Sequence, residues 1–206
     1  MIVVVDYGIG NIRSVAKAIK LCSKRKVCVS SLPSVVSGAE KIILPGVGHF
    51  GQTVKELKQK KLFSLIKDRI NDGIPFFGIC VGMQLLFTES EEAPGMKGLG
   101  IVRGKLKRFK SKKLIVPHMG WNQVKIKKTK NKSNASLLFK GVTDDSFFYF
   151  AHSYYCKPSS DWILTSTAYG VEFASCIHKD NVWGIQFHPE KSQKIGLKVL
   201  KNFLNL

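Results

Sequence analysis

The sequence predicts an α/β fold with a mixed, mainly parallel sheet. Two observations carry that prediction. In the first 90 residues, short all-apolar runs alternate with stretches whose apolar residues recur at helical spacing. Between residues 99 and 187, several short runs alternate apolar with polar residues, the pattern of antiparallel strands with one solvated face.

Taken in order, "MIVVVD" is apolar up to Asp6 and suits a strand covered on both faces. "GNIRSVAKAIKLC" follows with Ile12, Val15, Ala16 and Ile19 at helical spacing. "KVCVSSL" and "KIILPG" read as the second and third strands, with no helix between them. "FGQTVKELKQKKLFSLIKDRIND" reads as largely helical until Gly73 and Pro75 end it. "PFFGIC" is a fourth strand and "VGMQLLFTES" a helix, giving β-α-β-β-α-β-α. "LKRFK", "NQVKIK", "SFFYFAHSYY", "WILTSTAYG", "EFASCIHK" and "NVWGIQF" then read as antiparallel additions to the sheet. Residues 127–136, "KKTKNKSNAS", read as an exposed loop or hairpin tip. "SQKIGLKVLKNFLNL" closes the chain as an amphipathic helix, with Ser192 as its N-cap. No repeat or linker interrupts the chain, so residues 1–206 are expected to form one domain.

Composition narrows the function. Hydrophobic residues make up 44%, enough for a sizeable core. No apolar run approaches the ~18–20 residues of a membrane span. The start has no basic segment ahead of its apolar run and reads as a strand, not a signal peptide. The five cysteines contain no CxxC pair, which argues against zinc ribbons and thioredoxin-like motifs. Free thiols fit a reducing cytoplasm. The net charge is +19, and residues 93–143 contain no Asp or Glu. A nucleic-acid surface is one reading. Half-buried strands are the other, because in "KLKRF" and "QVKIK" charge alternates with apolar residues and no aromatic platform is interleaved.

"FFGICVGMQLLF" sets Cys80 between two glycines where a strand meets a helix. That is the form of a nucleophile elbow: a sharp turn exposes the reactive atom, and the next helix aims its N–H groups at a developing oxyanion. Alone, the motif fits a packed core cysteine equally well. A thiol nucleophile needs a base, and the base an orienting group. "GIQFHPEKS" offers both: His188 at a strand end and Glu190 two residues on. His188 alone would also fit a structural histidine, and with Glu190 a metal site, but no third ligand has helpful spacing.

"GICVGMQLLF" together with "QFHPEKS" resembles the class I glutamine amidotransferases. "DYGIGN", "LPGVGHFG", "PHMGWN" and "FAHSYY" are similar to the glutaminase subunits of imidazole glycerol phosphate synthases, in the same order from about residue 2 to 204. The resemblance implies a three-layer, flavodoxin-like α/β sandwich around a mixed sheet. It implies a catalytic triad of Cys80, His188 and Glu190, and an oxyanion strand at "PGVG" with N–H groups of Val47 or Gly48 and of Val81. Gly46, Gln84, Ser153 and Tyr154 are implied contacts for L-glutamine. Asn11, Met119, Trp121 and Lys191 are implied to face a partner, a (β/α)8-barrel cyclase in a heterodimer, with no cofactor, metal or membrane. Read without the resemblance, "LPGVG" fits an ordinary strand-to-helix turn, Gln84 a polar helix face, Trp121 a strand edge and Lys191 a solvated lysine. "DYGIGN" also invites a dinucleotide site, but the third glycine is replaced by Arg13 and no ribose-binding acid follows. Two other functions stay open at this stage: ammonia supply for surface-sugar amidation, and a non-catalytic nucleic-acid-binding module.

Overall fold

The structure, a computed structural model, describes residues 1–110, 114–127 and 137–206. Its centre is a nine-stranded mixed sheet. Strands β1 (Ile2–Val5), β2 (Val27–Ser30), β3 (Lys41–Gly46), β4 (Phe76–Cys80) and β12 (Val182–Ile185) form a parallel half in the order β2-β1-β3-β4-β12. The antiparallel half continues from β12 through β11 (Val171–Lys179), β10 (Ile163–Tyr169) and β7 (His118–Ile126) to β8 (Ser146–His152).

Every residue of β1, β3, β4 and β12 is buried, so both sheet faces are covered there. One helical group is α1 (Ile12–Cys22) packed beside the last helix, α6 (Gln193–Asn205). The other has α2 (Pro33–Ser37) and α3 (Phe50–Gln59) against α4 (Leu62–Asn71). The predicted three-layer α/β architecture is therefore observed.

Several elements differ from the sequence reading, each for a local reason. The long helix is two: α3 buries Phe50, Val54 and Leu57, whereas α4 buries Leu62, Ile66 and Ile70. The five-residue step from Leu57 to Leu62 would put the two stripes on different faces of a continuous helix. The chain breaks there instead, with Lys61 left-handed at φ 56°. Helix α2, between β2 and β3, has five residues and buries only Val36, too little periodicity to read. The helix after Cys80, α5, stops at Gln84, and Phe87–Ser90 is a strand, β5. Leu85, Leu86 and Phe87 are all buried, so a helix there would have no face for solvent.

Strand β6 (Val102–Arg108) does not join the main sheet. It lies between β5 and β9 (Tyr154–Tyr155) in a small second sheet. Its alternation still matches its burial: Val102 and Leu106 are buried while Arg103, Lys105, Lys107 and Arg108 are exposed. Ser192 precedes α6 but does not cap it; its hydroxyl donates to His188 O at 2.7 Å and accepts from Tyr149 N at 3.0 Å. The loop expected at 127–136 lies outside the described residues except for Lys127.

The C-terminal end of α6 is closed from the sheet. The buried Lys41 ammonium donates to Phe203 O and Leu204 O, both at 3.1 Å. Both are last-turn carbonyls; Phe203 O also accepts from Leu206 N at 3.2 Å and Leu204 O from Arg25 Nη1 at 3.5 Å. Lys41→Met keeps the stem and removes both donors, so it should lower unfolding free energy by about 1–3 kcal/mol; urea unfolding of the two proteins measures the difference.

Candidate active site

Glycine brings the elbow together. Strands β3 and β4 pair Leu44 with Gly78 and Gly46 with Cys80. The first turn of α5 lies directly on that pair: a Cβ at Gly82 would stand 1.9 Å from Leu44 O, and one at Gly78 would stand 2.5 Å from Gly82 O. With no room for side chains, the backbone reverses over a single residue. Cys80 takes the strain at φ 53°, ψ −108°, a conformation costly for any residue with a side chain. The same turn directs its sulfur into a cavity of about 210 Å³ lined by Gly48, Val81, Gln84, Ser153 and Tyr154. That is small for a drug-sized ligand and matches an amino acid.

His188 leaves the end of β12 and is 2% exposed. Its Nδ1 is 3.0 Å from Glu190 Oε1, and its side chain is close enough to Cys80 to interact with it. Burial alone would push the imidazole pKa down. Its interactions with Cys80 and then with Glu190 outweigh it, and the pKa rises to about 10. The sequence-derived Cys80, His188 and Glu190 thus meet in one buried cluster.

The other expected residues divide. Gly48, with φ +105°, and Val81 line the cavity with Cys80. Gly46 and Val47 do not; they line a smaller cleft with Asn11, His188 and Glu190, behind the elbow. Gln84 faces the cavity, but in this orientation both of its amide hydrogens are used, on Tyr154 O at 3.2 Å and Gln186 Oε1 at 3.1 Å. Met119 lines the cavity mouth and is 64% exposed, so it serves the site as well as the surface. Trp121 and Lys191 are exposed and meet around Tyr149: the Trp121 ring stands edge-on to it, and Lys191 Nζ sits 5.4 Å above it.

Four participants were missed by the sequence reading. Glu92 lines the cavity while its carboxylate accepts from Phe50 N at 2.7 Å. Gln186, fully buried, donates to the Cys80 sulfur at 3.5 Å. Its signal was available, since an extended chain puts residues 186 and 188 on the same face. His118 and His152 form a buried pair, Nδ1 to Nε2 at 3.0 Å. His152 Nδ1 donates to Tyr154 O at 2.8 Å, and Asn122 Nδ2 donates to His118 Nε2 at 3.1 Å. Each ring therefore donates through Nδ1 and accepts through Nε2. Burial pushes the two pKa values down to about 4 and about 3, which keeps both rings neutral. Among the described residues no cluster of His, Cys, Asp or Glu is arranged to hold a metal ion.

Comparisons with known proteins agree with this geometry. Residues 3–206 match the family described as glutamine amidotransferase class-I. The chain is 48% identical to the imidazole glycerol phosphate synthase subunit HisH of Methanocaldococcus jannaschii, covering 100% of both chains. It is 48% identical to the protein of that name from Pyrococcus furiosus, covering 100% of this chain and 98% of the relative. Among solved structures, a glutamine amidotransferase superposes with a TM-score of 0.74 at 17% identity, over 98% of this chain and 97% of that one. The PurLQS structure from Thermotoga maritima gives 0.73 at 21%, over 99% and 97%. At those identities the structural matches speak to the fold, whereas full-length identity near one half speaks to descent. The chain belongs to the class-I glutamine amidotransferases, and within them to the HisH family.

Proposed function

We propose that this chain is the glutaminase subunit of an imidazole glycerol phosphate synthase, releasing ammonia from L-glutamine for histidine biosynthesis. The observation that carries this reading is the buried constellation at the elbow: Cys80 opening into an amino-acid-sized cavity, with the His188–Glu190 pair behind it.

The geometry supports the following roles. The Cys80 thiolate attacks the side-chain amide carbon of glutamine, and the carbonyl π electrons move onto oxygen. In this reading the N–H of Val81, at the start of α5, meets that oxyanion, with a second N–H from Val47 or Gly48. His188, positively charged across neutral pH, gives its proton to the departing nitrogen. Ammonia leaves and a thioester remains. The now neutral His188 takes a proton from water, hydroxide adds to the thioester, and glutamate departs as the Cys80 thiolate returns. Glu190 holds the imidazole through Nδ1, leaving Nε2 to face the sulfur.

Ammonia set free in water would be protonated, so a partner has to receive it directly. A (β/α)8-barrel cyclase bound as a heterodimer fits that need. Met119 at the cavity mouth, with exposed Trp121, Lys191 and the half-buried Asn11, is the surface on which we place it. The whole of residues 1–206 serves as one amidotransferase unit. No described helix is long and apolar enough to cross a membrane, and five free thiols fit the cytoplasm.

Cys80→Ala should abolish glutamate release by about three orders of magnitude or more in the complex. It should leave ammonium-driven synthesis by the partner intact. Glutamate release matching the native chain would remove Cys80 from the mechanism.

The raised His188 pKa sets a pH signature. The imidazole stays protonated until pH rises through about 10, so the alkaline limb of kcat/KM should lie well above the ordinary histidine range. Glu190→Gln removes one of the groups that raise it, and the limb should move to lower pH with kcat reduced. A limb that does not move would mean Glu190 does not act through the imidazole.

A further inference from the structure

Gln186 is fully buried, and the chemistry above gives it no role. It follows β12, whose register pairs Ile185 with Ile79 of β4, so Gln186 emerges beside Cys80. Its main-chain N–H donates to Ser175 O at 2.9 Å, which ties it to β11. Its Nε2 donates to the Cys80 sulfur at 3.5 Å, and its Oε1 accepts from Gln84 Nε2 at 3.1 Å.

The direction of that amide is set from outside it. Tyr154 O is a main-chain carbonyl and can only accept. Gln84 therefore turns its nitrogen, not its oxygen, toward Tyr154 O at 3.2 Å. The second hydrogen of that nitrogen points to Gln186, which has to answer with its oxygen. The nitrogen of Gln186 is left to face the sulfur. A reversed amide at 186 would set N–H against N–H on one side and oxygen against sulfur on the other.

A buried sulfur carries negative charge only where donors reach it. On another side of the Cys80 sulfur lies Ala151 O at 4.0 Å, an acceptor that gives an anion nothing. His188 interacts with Cys80, but in the glutaminase reaction it hands its proton to the departing nitrogen. An amide N–H does not titrate, so Gln186 keeps its hydrogen through the whole cycle.

We propose that Gln186 is a catalytic residue of the glutaminase: its Nε2–H donates to the Cys80 thiolate before attack and again when the sulfur leaves the thioester. The proposal rests on the glutaminase reading of Cys80 and deepens it.

Gln186→Met keeps an unbranched side chain of similar length and removes the donor. The titratable groups around the sulfur stay in place: His188 with Glu190 behind it, Glu92 in the cavity wall, and Tyr7 and His152, which burial holds neutral. Alkylation of Cys80 by iodoacetamide in the free chain, followed by peptide mass against pH, reads the sulfur without glutamine or partner. Along the acid limb of that profile Gln186→Met should react about tenfold more slowly than the native chain, the weight of one hydrogen bond to a charged group. On the alkaline plateau, where the anion is fully formed, it should react no more slowly. In the complex with the barrel partner and its ligand, kcat should fall about tenfold, with a smaller change in KM and unchanged ammonium-driven synthesis. A second measurement needs no variant at 186. In the isotope-labelled native chain, a Gln186 side-chain amide resonance should move over the pH range of the acid limb, and in Cys80→Ala it should not. Three results would overturn the proposal: alkylation slowed equally on limb and plateau, a loss confined to KM, or an amide resonance that ignores the sulfur. A native complex that released no glutamate would remove the functional reading, whatever the alkylation profile. A native complex that turns over, with Gln186→Met equal to it in kcat, would overturn the role of Gln186 alone.

Discussion

The close approach of α5 to strands β3 and β4 is the constraint on which the site depends. Three glycines, at 46, 78 and 82, let backbone meet backbone where any side chain would collide. The strand-to-helix reversal at Cys80 follows from that contact. So does its left-handed backbone, which no cysteine would choose in isolation. The strain is held in place by the fully buried sheet on either side, not by local preference. The same contact places the start of α5 beside the sulfur, so nucleophile and oxyanion donor are set by one packing event.

The polar groups around the elbow divide between two protonation regimes. His188 is held charged by its interactions with Cys80 and Glu190. His152, nearby, is held neutral by burial, and His118 beyond it likewise. A neutral pair suits a structural role. Asn122 and the two rings form a one-way chain of donors ending on Tyr154 O, which also accepts from Gln84. The wall of the cavity formed by Ser153 and Tyr154 is thereby fixed without placing a second positive charge beside the first.

The parallel half of the fold was legible in the sequence because its strands are wholly apolar and its helices amphipathic. The C-terminal half was legible as strands but not as topology. Nothing in "LKRFK" says that β6 pairs with β5 and β9, since pairing partners are chosen by tertiary packing. Cys80, His188 and Glu190 were legible because their spacing imposes a local geometry. Glu92 and His152 were not, because a carboxylate in "TESEEAPG" and a histidine in an alternating strand look like solvated or core residues until the chain folds over the cavity.

Ser192 joins two parts of the molecule that the sheet keeps apart. Its hydroxyl links Tyr149 N to His188 O, and Tyr149 O in turn accepts from His188 N at 2.8 Å. Strand β8, at the outer margin of the sheet, is thus riveted to the main chain of the histidine at both ends of one residue. Cys80 rides on a different strand, β4, and β12, β11, β10 and β7 all lie between it and β8 in the sheet. The molecule resembles a pair of tongs whose jaws are the sulfur and the imidazole. A force applied to the Tyr149 edge, where Trp121 and Lys191 also lie, reaches the imidazole through short main-chain links, and the sulfur through the long contact of Cys80 Sγ with Ala151 O at 4.0 Å.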